Sequence, residues 1–305
     1  MAMSKEFIML VDGENLLHRS FHKFANLKTK DGKSTGAIFG FFKSLHYMVT
    51  RFNPDRVIVS FDNGHSPIRE KELPEYKGHR KNISIDYKSL QKQKRTIQKI
   101  LGYLRVPYIF DKKHTTLYEG DDFLAWLVFN LKADKFLLVS SDKDFNQLID
   151  KNVTIFNPGK DERVSSRNCK ELFGYEPEET VDYLSLVGDT SDDIPGFRGI
   201  GPVKARQFLD RFESIASSFG TGFWKDEEEA KKIYQRNKLL IDLQYFIEKT
   251  PMKSEELPLI YSSKDPNYAK YHEICIKYSL NSMKTSLFLE PFKNLTYEPL
   301  KYKNS

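Results

Sequence analysis

The stretch Phe7-Ile8-Met9-Leu10-Val11-Asp12-Gly13 decides the fold: five consecutive apolar residues end on a carboxylate and then a glycine. A short unbroken apolar run of this kind reads as a strand buried on both faces, as in parallel sheets. The pattern recurs at Val57 to Phe61 before Asp62, and at Phe136 to Val139 before Ser140, Ser141 and Asp142. Helical periodicity fills the intervals, at Ile38 to Phe52, Leu90 to Leu104 and Phe123 to Leu131. Strands alternating with helices predict an α/β fold, with a mostly parallel central sheet and helices on both faces. In such sheets ligands bind beyond the carboxyl ends of the strands, which is where these acidic residues fall.

From Cys169 onward the pattern turns helical. Pro177 opens an apolar-periodic run to Val187, and after a glycine-rich turn Pro202 opens another to Phe212. Beyond Pro251 one helix is expected, from Asn267 to Tyr278, with the last eight residues frayed. The 305 residues are 39% hydrophobic, 30% charged and 13% aromatic, which excludes a disordered chain and a mini-protein without a core. No apolar run approaches the roughly 18 residues of a membrane span, and the N-terminal run is too short for a signal peptide, so a cytoplasmic protein is expected. Cys169 and Cys275 lack any zinc or disulfide spacing and read as buried thiols. Gly32-Lys33-Ser34 resembles the end of a phosphate loop, but Leu27 stands where the earlier glycine is needed; His272-Glu273 lacks the second histidine of a zinc motif, Ile276 standing in its place.

Besides Asp12 and Asp62, carboxylates gather in Glu119-Gly120-Asp121-Asp122, Asp142-Lys143-Asp144 and Asp189-Thr190-Ser191-Asp192-Asp193. Helix capping accounts for any one of these motifs taken alone. Together they account for more, because converging carboxylates repel unless protonated or bridged, and all-oxygen ligand sets select Mg²⁺ or Mn²⁺. Two such ions about 3.5–4 Å apart clamp a phosphodiester during hydrolysis.

These motifs, in this order and continuing through Ile194-Pro195-Gly196 and Gly199-Ile200-Gly201-Pro202, resemble the 5′-nuclease family of flap endonucleases and 5′-3′ exonucleases. The resemblance spans roughly Phe7 to Phe212 and includes the 5′-nuclease domain of bacterial DNA polymerase I; the length suggests a stand-alone bacteriophage or bacterial type. It implies a two-metal nuclease cutting near the 5′ end of flapped, nicked or duplex DNA, and RNA in RNA–DNA hybrids as a further substrate. Asp12, Asp62, Glu119 and Asp121 would surround one ion, and Asp142, Asp144 and Asp189 the other, with Asp122 and Asp192 in the outer shell. Asp193 departs from the family, which has Asn there. The implied division is an α/β nuclease core over 1–168, carrying a basic helical arch at about 64–105, and a helical DNA-binding region over 169–305. That region would hold a helix-three-turn-helix motif at about 185–212 and a C-terminal extension. A monomer acting with replication proteins, in a bacterial host's cytoplasm if of phage origin, completes what the resemblance implies.

Net charge is only +6, but between Arg69 and Arg105 eleven basic residues face four acidic ones. Such a run is either a solvated helix face or a phosphate-binding surface. Leu73-Pro74-Glu75-Tyr76-Lys77-Gly78-His79-Arg80 is similar to the family's arch-entry motif, which makes Lys77 and Arg80 the expected contacts to the scissile phosphate. Their spacing of three puts both on one face if the segment is helical. Tyr76 either stacks on a terminal base or anchors the loop. Gly199, Gly201 and Lys204 belong to a turn whose backbone N–H groups suit a phosphate, and the resemblance adds a K⁺ ion there; Val203 stands where the family has a basic residue. Two other functions stay open on sequence: a DNA-binding protein without catalysis, and an α/β ribonuclease acting on single-stranded RNA.

Overall fold

A computed structural model describes residues 6–62, 64–78, 86–112, 117–260 and 265–303. In the first half the strands are β1 (Phe7–Asp12), β2 (Arg56–Ser60), β3 (Tyr108–Ile109), β4 (Lys135–Val139), β5 (Val153–Asn157) and β6 (Glu162–Val164). Two short strands, β7 (Gly188–Asp189) and β8 (Ile194–Pro195), pair with each other, and β9 (Leu259–Ile260) returns to the main sheet. The sheet order is β6-β5-β4-β1-β2-β3-β9, parallel from β5 to β3 and closed at each edge by an antiparallel strand. The chain thus starts in the middle, steps outward through β2 and β3, then returns to the other side of β1 with β4 and β5. Adjacent strands whose connections diverge leave a crevice at their carboxyl ends.

Helices α1 (Gly13–Lys23), α2 (Gly36–Phe52), α3 (Pro67–Glu72), α4 (Tyr87–Tyr103) and α5 (Gly120–Asn130) occupy the intervals between the early strands. The later helices are α6 (Cys169–Phe173), α7 (Thr180–Val187), α8 (Pro202–Phe212), α9 (Ile215–Ser218), α10 (Glu227–Ile241), α11 (Leu243–Lys249), α12 (Tyr268–Lys277) and α13 (Ser286–Lys293). Alternation along β1 divides the core. Ile8 and Leu10 face a cluster with α5, α7, α8, α10 and α11, whereas Met9 and Val11 face one with α1, α2, α4, α12 and α13. Both cysteines are free and buried. Among the described residues no helix is long and apolar enough to cross a membrane.

The end of the chain differs from expectation. A second helix, α13, follows α12, and both pack on the face that carries α2 and α4, while β9 extends the sheet. The tail is held rather than frayed: Lys132 N–H donates to Lys301 O at 2.8 Å, Lys303 N–H to Asn130 O at 2.8 Å, and Tyr302 packs on Trp126.

Candidate metal centre

The crevice between β1 and β4 holds the first carboxylate. Asp12 ends β1 and caps α1, its Oδ1 accepting Asn15 N–H at 2.9 Å, while Ser140 beyond β4 donates its hydroxyl to Oδ2 at 2.8 Å. Asp142 likewise caps the short 3₁₀ helix Lys143–Leu148 through Asp144 N–H, at 3.0 Å. Capping and site formation are therefore not alternatives here, because one oxygen serves the helix and the carboxylate still stands in the crevice. The glycines after Asp12 and Glu119 have a steric cause. A Cβ on Gly13 would lie 2.6 Å from Ser60 O, and one on Gly120 would lie 2.5 Å from Asp62 Oδ1, so both helix starts abut the end of β2. Gly120 N–H donates to Asp62 Oδ1 at 2.6 Å, joining α5 to that edge.

Asp144, Asp189 and Asp192 form the tightest group, with one carboxylate oxygen of each within 4.8 Å of the others. All three are buried, at 7%, 1% and 7% exposure. Among the described residues Asp144 Oδ1 and Asp189 Oδ2 have no hydrogen-bond partner, although Asp189 Oδ1 accepts from Ser191 and stands 3.3 Å from Lys143 Nζ. Buried oxygens without donors are what an oxygen-liganded divalent cation satisfies, so this donor set fits Mg²⁺ or Mn²⁺. Asp192, expected in the outer shell, lies with Asp144 and Asp189 in this group, and the Asp142 carboxylate is close enough to act on both Asp144 and Asp192. Asp193 takes a left-handed backbone with φ 56°, a conformation Asn and Asp tolerate best, so its departure from the family's Asn leaves the turn intact.

Mutual repulsion is legible in the acidities. Burial raises Asp12 to about 6, with the Asp121 and Glu14 carboxylates adding to it. Burial and then the Asp192 carboxylate raise Asp142 to about 7. Burial pushes Asp62 and Asp144 well up, with Glu14 acting further on Asp62 and Asp142 and Asp189 on Asp144. Glu119 is the exception. Burial would raise it, but the Lys77 ammonium and the Arg69 guanidinium outweigh burial and hold it at about 2.

Glu119 is surrounded by donors: Oε1 accepts Ser66 N–H at 2.7 Å, while Oε2 accepts the Tyr76 hydroxyl at 3.0 Å and Lys77 Nζ at 2.5 Å. Lys77 also lies 3.5 Å from Asp192. It is buried, with φ 53°, in a turn rather than a helix, so the shared helix face expected for Lys77 and Arg80 does not exist at Lys77. Arg80 lies outside the described residues. Tyr76 is 3% exposed, its hydroxyl on Glu119 and 3.4 Å from Asp192, the geometry of a loop anchor rather than of a ring offered to a base.

Asp122 has both oxygens on Arg69, at 2.7 Å each, and Oδ2 also accepts Glu119 N–H at 2.8 Å. Its oxygens thus face Arg69 and the start of α5, one layer behind Glu119. Arg69 and Lys94 fall within the basic run, yet both are buried rather than part of a basic surface. Lys94 Nζ bonds Glu14 and Asp62 O at 2.6 Å each. Nothing in a basic run distinguishes these two from their neighbours; the distinguishing fact is a carboxylate partner 53 or 80 residues away. At the glycine-rich turn Gly199 has φ 81° and open space around it, Lys204 Nζ donates to Gly199 O at 2.9 Å, and Val203 is 68% exposed.

Comparison with known proteins adds a lineage to this geometry. Residues 7–174 match the family model of the 5′-3′ exonuclease N-terminal resolvase-like domain, and residues 175–245 that of the 5′-3′ exonuclease C-terminal SAM fold. A 5′-3′ exonuclease of Aquifex aeolicus is 32% identical over 255 residues, covering 81% of this chain and 86% of that one. DNA polymerase I of Bacillus subtilis is 30% identical over 235 residues, 75% of this chain and 26% of the polymerase. Among solved structures, the bacteriophage T5 flap endonuclease in a pseudo-enzyme-product complex with DNA and metal ions superposes with a TM-score of 0.65 at 20% identity, covering 94% of this chain and all of that one.

Proposed function

Since this chain belongs to the 5′-3′ exonuclease family, we propose that it hydrolyses phosphodiester bonds near the 5′ end of flapped, nicked or duplex DNA, using two divalent cations held in the acidic crevice. It is a metal-dependent nuclease, a hydrolase. The observation that carries the finer reading is the meeting of Asp144, Asp189 and Asp192 with two buried oxygens that lack donors. Asp144, Asp189 and Asp192 would hold one ion, with Asp142 beside it; Asp12, Asp62, Glu119 and Asp121 would line the other. Mg²⁺ or Mn²⁺ bound there supplies charge stabilisation for the phosphoryl oxygens and lowers the pKa of an attacking water. The protein's own part is to place the carboxylates and to exclude bulk water from them.

Lys77 has a part in both states. Without metal its ammonium neutralises Glu119 and Asp192; with substrate it would meet charge developing on the scissile phosphate, with Arg80 as its partner. Gly199, Gly201 and Lys204 would grip the phosphates of the downstream duplex, with a K⁺ ion at the same turn. The protein is proposed to act as a cytoplasmic monomer alongside replication proteins. The test is cleavage of 5′-labelled flap, nicked duplex and RNA–DNA hybrid in Mg²⁺, with EDTA as control. Metal-dependent cutting near the labelled end is expected, with Lys77→Ala slowed by about 10²-fold or more while still binding DNA. Cutting that survives EDTA, or restriction to single-stranded RNA, would overturn the reading.

A further inference from the structure

We infer that Arg69 is a positioning residue for Glu119, acting through Asp122 at the start of α5; the inference rests on the reading of Glu119 as part of the metal-binding crevice. The guanidinium is 1% exposed and Asp122 is 0% exposed, so the pair is wholly out of water. Two parallel bonds of 2.7 Å fix the guanidinium in plane with the carboxylate, and the Phe246 ring on α11 lies 4.0 Å from its centre. From that fixed frame Asp122 Oδ2 accepts Glu119 N–H at 2.8 Å, and Arg69 Nη1 stands 3.7 Å from Glu119 Oε2. The pair therefore holds Glu119 at both its backbone and its carboxylate.

A buried ion pair is weak evidence for stability, because well-packed apolar residues of similar volume often serve as well. What apolar residues cannot supply is direction. Among the described residues, the hydrogen-bond donors Ser66 N–H, the Tyr76 hydroxyl and Lys77 Nζ to the Glu119 carboxylate belong to the segment running from before α3 to the turn after it. Arg69 sits on α3 itself, so its bond to α5 ties that whole segment to the helix that presents Glu119. Second-layer partners of this kind typically set metal affinity by about 10–100-fold.

Calorimetric titration of DNA-free protein with Mg²⁺, alongside melting temperature, tests this on Arg69→Lys, Asp122→Asn and the paired apolar variant Arg69→Met/Asp122→Leu. Each folded variant is expected to bind Mg²⁺ about 10–100-fold more weakly, with cleavage recovering toward wild type as Mg²⁺ is raised. The paired variant is expected to melt near wild type yet bind as weakly as the single variants, which separates positioning from stability. Should the single variants fail to fold, the paired variant decides. Affinity within about twofold of wild type in any folded variant overturns the assignment, since the general magnitude expected is at least tenfold. Wild-type protein that takes up no Mg²⁺ overturns the metal reading and this assignment together; wild type that binds, matched by folded variants, overturns this assignment alone.

Discussion

At Asp12 and Asp142 the folded protein holds protons more tightly than an unfolded chain would, at about 6 and about 7 against an ordinary value of 3.8. Between pH 4 and 7 the native state therefore binds more protons than the unfolded state, and stability falls as pH rises through this window. Glu119 works in the opposite sense: depressed to about 2, it contributes stability that is present above its unfolded value of 4.5 and is lost only as pH falls toward 2. Metal-free protein should consequently melt several degrees lower at pH 8 than at pH 5, at roughly 2 °C per kcal/mol, and Mg²⁺ should flatten that slope. Asp189→Asn removes a carboxylate whose Oδ2 has no donor among the described residues; it should raise the metal-free melting temperature and shrink the Mg²⁺-induced gain. That gain is roughly 2.7 kcal/mol per site at 100 times the dissociation constant. A pH-independent melting temperature, or equal Mg²⁺ shifts in Asp189→Asn and wild type, would remove the repulsion from the account. The carboxylates were legible in the sequence because each sits where the chain changes direction: after a buried strand, at a helix start, or, for Asp189 and Asp192, just past the end of α7. The partners Arg69 and Ser140 were not, since only the folded chain brings them to Asp122 and Asp12.

Two helices begin against the carboxyl end of β2 with almost no clearance, which gives the pairs Asp12-Gly13 and Glu119-Gly120 their meaning. Gly120→Ala would drive a methyl group into Asp62 Oδ1 and break the 2.6 Å bond from Gly120 N–H. Overpacking of this kind costs about 1–3 kcal/mol. Here it also displaces a carboxylate, so cleavage should drop more than tenfold at fixed Mg²⁺ while Gly102→Ala, with open space around it on α4, stays near wild type. Equal activity in the two variants would show that Asp62 does not need its present place. At this scale the strong strands β1, β2 and β4 and the long helices could be read from periodicity. The two-residue strands β3, β7, β8 and β9 could not, because two residues carry no period, and their existence depends on partners elsewhere in the chain. Helix α13 was hidden by Pro291 inside it.

Over the whole molecule, all but one of the described basic residues of the segment, half-buried Arg105, fall into two populations. Arg69, Lys77 and Lys94 are buried on carboxylates, whereas Lys71, Lys88, Lys92, Arg95 and Lys99 are exposed. Among the described residues of this segment, the exposed set is the one placed to release counterions along a duplex. If about five phosphates are neutralised, affinity should fall by about 10²–10³-fold between 50 and 200 mM salt. Lys88→Gln/Lys92→Gln should lower the logarithmic slope by about 2, one for each phosphate that keeps its counterion. Lys94→Gln should lower stability and leave the slope alone, because its ammonium is committed to Glu14. A slope that responds to Lys94 and ignores Lys88 and Lys92 would place the phosphate track elsewhere. The sheet order has a consequence for synthesis. β1 is made first but lies in the centre, and its neighbour β4 ends 127 residues later at Val139. At about 5–20 residues per second, the N–H and C=O edge of this apolar strand stays unpaired on that side for roughly 6–25 s after it is made. The strand that anchors the metal crevice is thus also one that a chaperone would shelter on the nascent chain.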